Sequence, residues 1–352
     1  MAGIKGSAAK LKRAAAPPIE RPPVSSATIS EVAAAAGVST ATVSRFFNSP
    51  EKLKEKTARR VKDAVSHIGY VPNLLAGGLA SSRTRLVAAI IPTMTQSIFA
   101  STIQSLTDAL ASEGYSVMLG LTGAADEHVH QQLMSIIGRR PDGIILTGST
   151  LDPSARRQLR STGISTIETW DLPDDPIDLV VGLSHEKVGV AVARHALARG
   201  RRRVFMISAT GVRALARRYG FSRTMMAGGA PEPVTATFVG PTTFGHGRSA
   251  LAAHLDSGAR PDLVVCSSDW SAHGTLEELQ RRGIRVPEDI AVIGFGDLEF
   301  AADVNPGLTT VKIDGTVIGR QAAQFLMLRA QGKKIEHPVV DIGFSLIVRA
   351  SG

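Results

Sequence analysis

One cysteine, Cys266, occurs in 352 residues, which excludes an internal disulfide and any multi-cysteine metal site. It sits in the apolar run Leu263-Val264-Val265-Cys266 and reads as a buried core thiol. Apolar runs of about 18 residues are missing, so no membrane span is expected. The start of the chain carries charge without an apolar core or export signature, and the cytoplasm is the expected compartment. Catalytic signatures are also missing: there is no GxxxxGK[ST] phosphate loop, no GxSxG elbow and no HExxH. Gly294-Phe295-Gly296 lacks the third glycine of a dinucleotide fingerprint, and the nine histidines show no metal-site spacing. Neither catalysis nor a cofactor is expected.

Acidic residues are scarce in one region only. Residues 1–85 hold 14 Lys/Arg against 5 Asp/Glu, whereas the remaining 26 Lys/Arg are matched by 26 Asp/Glu. The whole net charge of +9 therefore resides in the first quarter, as a chain that approaches phosphates requires. With 43% hydrophobic and 20% charged residues, the composition is that of an ordinary globular protein, and the length suggests two or three units.

Within the basic region, Ile29, Val32, Ala33 and Ala36 recur at helical spacing, and Gly37 breaks the run. Val38 fills the turn. Ser39 is a good N-cap for a second helix with Val43, Phe46 and Phe47 facing inward. Thr40, Ala41, Thr42, Ser44 and Arg45 then point outward. Two short helices joined by a glycine turn predict a helix-turn-helix, whose second helix enters the DNA major groove. Small side chains permit close approach, hydroxyls reach bases or phosphates, and an arginine binds guanine bidentately. A plain helical hairpin shares the bare pattern but not this surface. A third helix is expected over 57–68, with Ala58, Val61, Ala64, Val65 and Ile68 buried and Gly69 as C-cap.

From residue 86 onward, short apolar runs alternate with helical patterns. Strands are expected at 86–91, 115–121, 143–147, 164–167, 179–181, 204–208, 234–238, 263–267, 290–295 and 309–312. Helices lie between most of them, for instance at 99–112, 185–199 and 246–257. This alternation predicts βαβ units and parallel sheets, and ten strands call for two lobes. Ligands bind beyond the carboxyl ends of such strands. The candidates there are 93–99, 147–150, Glu168, Trp170, Arg213, Arg217, Phe244, Ser268-Asp269 and Gly296-Asp297.

The order Thr-Ile-x-x-Val-Ala-x-x-Ala-Gly-Val-Ser-x-x-Thr-Val-Ser-Arg, followed by Asn48, resembles the head of lactose/galactose-repressor (LacI/GalR) family transcription factors. The resemblance runs over about 28–352. It implies an all-α helix-turn-helix head plus an α/β two-lobed effector domain like a periplasmic binding protein, with crossovers between lobes. The implied domains are a disordered basic extension (1–27), the DNA-binding head (28–72), a hinge (73–85) and the effector and dimerisation domain (86–352). DNA contacts would come from Thr28, Ser39, Thr40, Ala41, Thr42, Ser44, Arg45 and Asn48. In the hinge, Leu79 matches the leucine the family inserts into the minor groove, and Ala76 the small residue beside it. Gly77 and Gly78 each disfavour a hinge helix by roughly 1 kcal/mol, and a flexible linker is the alternative.

In the effector domain, Phe99 matches an aromatic that borders the family's effector, and Arg217 an arginine that grips it. Thr147, Glu168, Trp170, Arg213, Phe244, Asp269 and Asp297 complete the expected effector site. Sugar-binding members carry Asn-Asp where this chain has Ser268-Asp269, and Gly-Phe-Asp-Asp where it has Gly294-Phe295-Gly296-Asp297. A lost carboxylate beside a kept arginine favours an anion. The segments GISTIETWDLPDDPIDLVVGLSHEKVG and VVDIGFSLIVRASG are similar to gluconate-repressor-type members, which implies a sugar acid such as gluconate or a ketogluconate. The expected partners are operator DNA, that effector and a second copy of the chain, as a homodimer or a tetramer. The competing reading is a cytoplasmic sugar-binding protein whose head contacts other proteins.

Overall fold

A computed structural model of the chain describes residues 27–71, 83–94, 97–123, 129–147 and 151–352. The expected basic extension, apart from Ala27, and the hinge positions Ala76 and Leu79 fall outside them. The chain divides near residue 80 into two compact units.

The first unit is helical. Helix α1 (Ile29–Ala36) opens on Thr28, whose hydroxyl accepts from the Glu31 amide at 3.3 Å while the Glu31 carboxylate accepts from the Thr28 amide at 2.6 Å. This reciprocal cap satisfies two donors that the helix start leaves open. Gly37 ends the helix at φ 60°, a left-handed turn that favours glycine. Ser39 caps α2 (Thr40–Asn48) through the Thr42 amide. Helix α3 (Glu55–Ile68) begins two residues before the sequence pattern suggests and ends at Gly69 as expected. Val32, Ala33, Ala36, Val43, Val61 and Ala64 form the small core, and half-buried Phe46, Phe47 and Tyr70 pack around it.

The second unit contains two six-stranded sheets. Lobe 1 carries β1 (Leu86–Ile91), β2 (Ser116–Leu121), β3 (Gly143–Thr147), β4 (Ser165–Thr169), β5 (Leu179–Gly182) and β11 (Val339–Asp341), in the order β11-β5-β4-β3-β1-β2. Lobe 2 carries β6 (Val204–Ala209), β7 (Val234–Phe238), β8 (Leu263–Cys266), β9 (Ala291–Gly296), β10 (Thr309–Lys312) and β12 (Ser345–Ile347), in the order β12-β10-β9-β8-β6-β7. All pairs are parallel except β10 with β12. Strands β1 and β8 are apolar throughout because helices cover both faces, whereas central β4 carries Ser, Thr and Glu; β1 is buried along five of its six residues.

Helices α4 (Ala100–Ala111), α5 (Val129–Ile137), α6 (Pro153–Thr162) and α11 (Gly315–Ala330) serve lobe 1. Helices α7 (His185–Ala198), α8 (Val212–Ala227), α9 (Phe244–Asp256) and α10 (Asp269–Arg281) serve lobe 2. The chain therefore passes between lobes three times: after β5, after β10 and after β11. The last two passages place β11 and β12, which the sequence pattern does not reveal.

Helices α7 and α8 cross in backbone contact. A Cβ on Gly189 would lie 2.0 Å from the Arg217 carbonyl oxygen, and one on Gly220 2.3 Å from that of Glu186. Backbone atoms in two packed helices cannot move aside cheaply. Gly189→Ala should therefore cost about 1–3 kcal/mol and lower the thermal midpoint by roughly 3–10 °C. An unchanged melting curve would show that the helices separate freely, and the placement of α8 would then need another explanation.

Candidate functional site

The outward face of α2 is as the spacing predicts. Thr40, Ala41, Arg45 and Asn48 are exposed, and Thr42 and Ser44 are half-buried. Arg45 makes no side-chain hydrogen bond or ion pair among the described residues, whereas Asn48 Nδ2 donates to the Ser44 carbonyl at 3.0 Å. Ser39 Oγ is 3.0 Å from Thr42 Oγ1, and Thr28 is engaged in its cap. Lys52, Lys54, Lys56 and Arg59, in the stretch that follows α2, are exposed, and Arg59 pairs with Glu55 at 2.6 Å.

The second site is a cavity of about 720 Å³ between the lobes. It opens at the carboxyl ends of both sheets: Pro92, Thr122, Leu146 and Trp170 on one side, Thr210, Val239, Ser267 and Phe295 on the other. A six-carbon ligand fits a volume of this order. Phe99, Glu168, Trp170, Arg213 and Arg217 all line it, as expected.

Four expected residues do not. Thr147 is buried against Thr169, with the two Oγ1 atoms 2.8 Å apart, because alternation in β3 turns it away and presents Leu146. Phe244 starts α9 and packs edge-on against His273 at 5.2 Å. Asp269 is wholly buried, accepting from Thr310 Oγ1 at 2.6 Å and the Leu298 amide at 2.8 Å. It fastens the β9 turn and is out of reach of ligand hydroxyls. Asp297 is held by Arg349 at 2.7 Å and Lys312 at 3.7 Å. Gly296 has φ 134°, so the carboxylate missing there reflects backbone shape as well as charge. Residues 148–150 lie outside the described set.

Burial pushes the Asp269 carboxyl up to about 6, against the hydrogen bonds from Thr310 and Leu298. Its folded value lies above the unfolded one, so protonation favours the fold. The contribution is full below pH 4 and disappears as pH rises through 6, a difference of about 3 kcal/mol. The stability difference between wild type and Asp269→Asn should thus shift by about that amount across the window, in favour of the variant as pH rises. Parallel pH profiles would mean that Asp269 ionises as an exposed carboxyl does.

The charged groups among the described lining residues are Arg156, Glu168, Asp171, Arg213 and Arg217. Glu168 accepts from Arg156 at 2.8 Å and from the Ile177 amide at 2.7 Å, so this pair is internally neutral wall. Two guanidiniums remain against one carboxylate. Arg213 and Arg217 project from the first turns of α8, whose positive end also faces the cavity. Arg217 Cζ lies 3.8 Å above the Phe295 ring, and Arg213 Cζ 5.4 Å from that of Phe99. Burial, then the charge of Arg213, brings the Arg217 pKa down to about 9, with Asp171 opposing; it stays cationic at neutral pH. Burial raises the Asp171 carboxyl, against its bond from the Leu172 amide and the two arginines. His185 sits behind Arg217, with Nδ1 3.0 Å from Arg217 Nη1.

Asp171, His185 and Phe295 line the cavity at positions that sequence reasoning does not select. Asp171 directly follows Trp170 at a strand end and is open to the same rule. His185 comes after a crossover, where that rule says nothing. Cys266 is buried as expected, and burial pushes its thiol up to about 12. No group of three metal-ligating side chains occurs among the described residues, and no helix among them is long and apolar enough to cross a membrane.

Residues 28–73 match the bacterial regulatory proteins of the lacI family, and residues 193–352 a periplasmic binding protein-like domain. The HTH-type transcriptional regulator GntR of Pseudomonas aeruginosa is 34% identical over 326 residues, covering 92% of this chain and 95% of that protein. GntR of Escherichia coli K12 is 26% identical over 319 residues, covering 90% and 96%. Among solved structures, a LacI-family transcriptional regulator from Silicibacter pomeroyi aligns with TM-score 0.86 at 28% identity, over 92% of this chain and 99% of that one. The Lac repressor dimer bound to operator and the anti-inducer ONPF aligns with TM-score 0.79 at 23% identity, over 93% and 99%, a likeness of fold.

Proposed function

Because the chain belongs to the LacI family of DNA-binding bacterial regulators, we propose that it is a homodimeric repressor controlled by a sugar acid such as gluconate or a ketogluconate. One observation carries the ligand class: Arg213 and Arg217 enter a single cavity where, among the described lining residues, Asp171 is the carboxylate facing them and Arg156 and Glu168 neutralise each other. A carboxylate satisfies those donors in a way a neutral hydroxyl cannot. The hydroxyls of Thr210, Ser267 and Ser268 offer partners for a polyol chain, and Phe99 and Trp170 an apolar wall. The relatives named GntR agree with the gluconate-repressor-type segments of the sequence.

Two heads are required because one small helical head offers too little surface for a specific site, and paired heads read a near-palindrome. An effector that touches both lobes shifts DNA affinity only by its differential affinity for the two lobe arrangements. The test is calorimetry of the purified protein with gluconate, 2-ketogluconate, glucose and galactose. The sugar acids should bind and the neutral hexoses should not. Tight binding of glucose would overturn the sugar-acid reading and leave the family untouched.

A further inference from the structure

Arg217 does not reach the cavity unsupported. Its Nη1 is 3.0 Å from His185 Nδ1, and the other ring nitrogen, Nε2, is 2.8 Å from the carbonyl oxygen of Trp170. His185 is 3% exposed and is the first residue of α7, where the chain has just left lobe 1. Trp170 caps the end of β4 in lobe 1, with φ 71° and its indole Nε1 donating to Thr102 Oγ1 of α4 at 3.1 Å. A single imidazole thus spans the passage between a lobe 2 guanidinium and a lobe 1 carbonyl.

The chemistry of those two neighbours fixes the ring. A carbonyl only accepts and a guanidinium only donates, so the group between them must donate from Nε2 and accept at Nδ1. Only the neutral imidazole with its proton on Nε2 does both. Burial is the main cause that holds the His185 pKa well below its usual value, followed by the charges of Arg217 and Arg213. The positive end of α7 acts in the same direction. Asp171 is the carboxylate that faces this group of cations.

We propose that His185 is a positioning residue for the anion site, tying the Arg217 guanidinium to the Trp170 carbonyl so that both lobes sense a ligand carboxylate through one ring. The proposal rests on Arg217 receiving that carboxylate. With one Nη1 proton spent on His185, Nη2 donating to the Ser267 carbonyl at 3.5 Å and the face resting on Phe295, the guanidinium is held from three sides at the cavity wall. Arginine's fork gains its advantage over lysine when it is held in this way.

Two measurements on the full chain test it. Nitrogen-15 NMR of histidine-labelled protein, with His185→Gln used to assign the signal, reads which ring nitrogen carries the proton. The expected result is a neutral ring with its proton on Nε2 at neutral and mildly acidic pH, and loss of that preference in Arg217→Ala. Calorimetry with gluconate should show His185→Leu binding at least about tenfold more weakly. His185→Gln, whose amide can donate to Trp170 and accept from Arg217, should stay within about threefold of wild type. A ring that titrates in the ordinary histidine range, a proton on Nδ1, or full-strength gluconate binding by His185→Leu would overturn the assignment. If wild type binds no gluconate, the sugar-acid reading fails, and the NMR comparison of wild type with Arg217→Ala still decides the role of His185. The NMR readout also does not depend on His185→Leu folding.

Discussion

Arg217→Ala should weaken gluconate binding by about 10²–10⁴-fold. A hydrogen bond to a charged group is worth roughly 1.5–3 kcal/mol, and a bidentate guanidinium–carboxylate pair makes two. At about 1.4 kcal/mol per factor of ten, losing both gives that range. The deletion also leaves the ligand carboxylate in a cavity from which Phe99, Trp170 and Phe295 exclude much water, so solvent restores little of the loss. Arg217→Lys should recover part of the affinity, since it keeps the charge and loses the fork. Calorimetry checks both variants, and thermal melting checks that they fold. Gluconate affinity unchanged in Arg217→Ala would place the carboxylate elsewhere in the cavity and remove the sugar-acid argument.

A strand-end rule finds Arg217 and misjudges Asp269 because the two residues occupy different positions in their helices, although both connections are two residues long. After β6 the chain runs through Thr210 and Gly211 before α8 begins, and the arginines in its first turns project across the strand ends. After β8 two residues, Ser267 and Ser268, likewise precede the helix, but Asp269 is its first residue and its side chain turns under the β9 loop toward Thr310. Phe244 occupies the same first position of α9 and meets His273 of α10 instead of the cavity. Sequence spacing places a residue at the mouth of a sheet, and helix phase decides whether it faces the ligand. Apolar strands such as β1 and β8 were legible because burial on both faces leaves a continuous apolar run. Strands β11 and β12 were not: three residues long and partly exposed, they form because the chain recrosses between lobes. In the head, local signals sufficed at Gly37, Ser39 and Gly69, each of which performs a capping task set by residue type, whereas the cap at Thr28, read from the sequence as a DNA contact, emerges only in the structure.

The head also supports the larger DNA prediction. Arg45 is exposed on α2, six residues into the helix, with its guanidinium held by no partner among the described residues. An arginine that contacts a guanine edge discriminates by about 1–3 kcal/mol. A homodimer on a near-palindrome makes the contact twice, so Arg45→Ala should cost about 2–6 kcal/mol, a loss of roughly 30- to 10⁴-fold on an operator selected from randomised oligonucleotides. Random DNA offers Arg45 only phosphate, and there the loss should be small and fade with added salt. Replacing Lys52, Lys54 and Lys56 with alanine is the complementary case. These exposed lysines follow α2 in the chain, and their loss should weaken both DNAs alike and flatten the salt dependence. Anisotropy titrations of the four protein–DNA combinations at several salt concentrations separate the two behaviours. If Arg45→Ala lost the same factor on operator and random DNA, Arg45 would be a phosphate contact, and base reading would fall to Thr40, Ala41, Thr42 and Ser44.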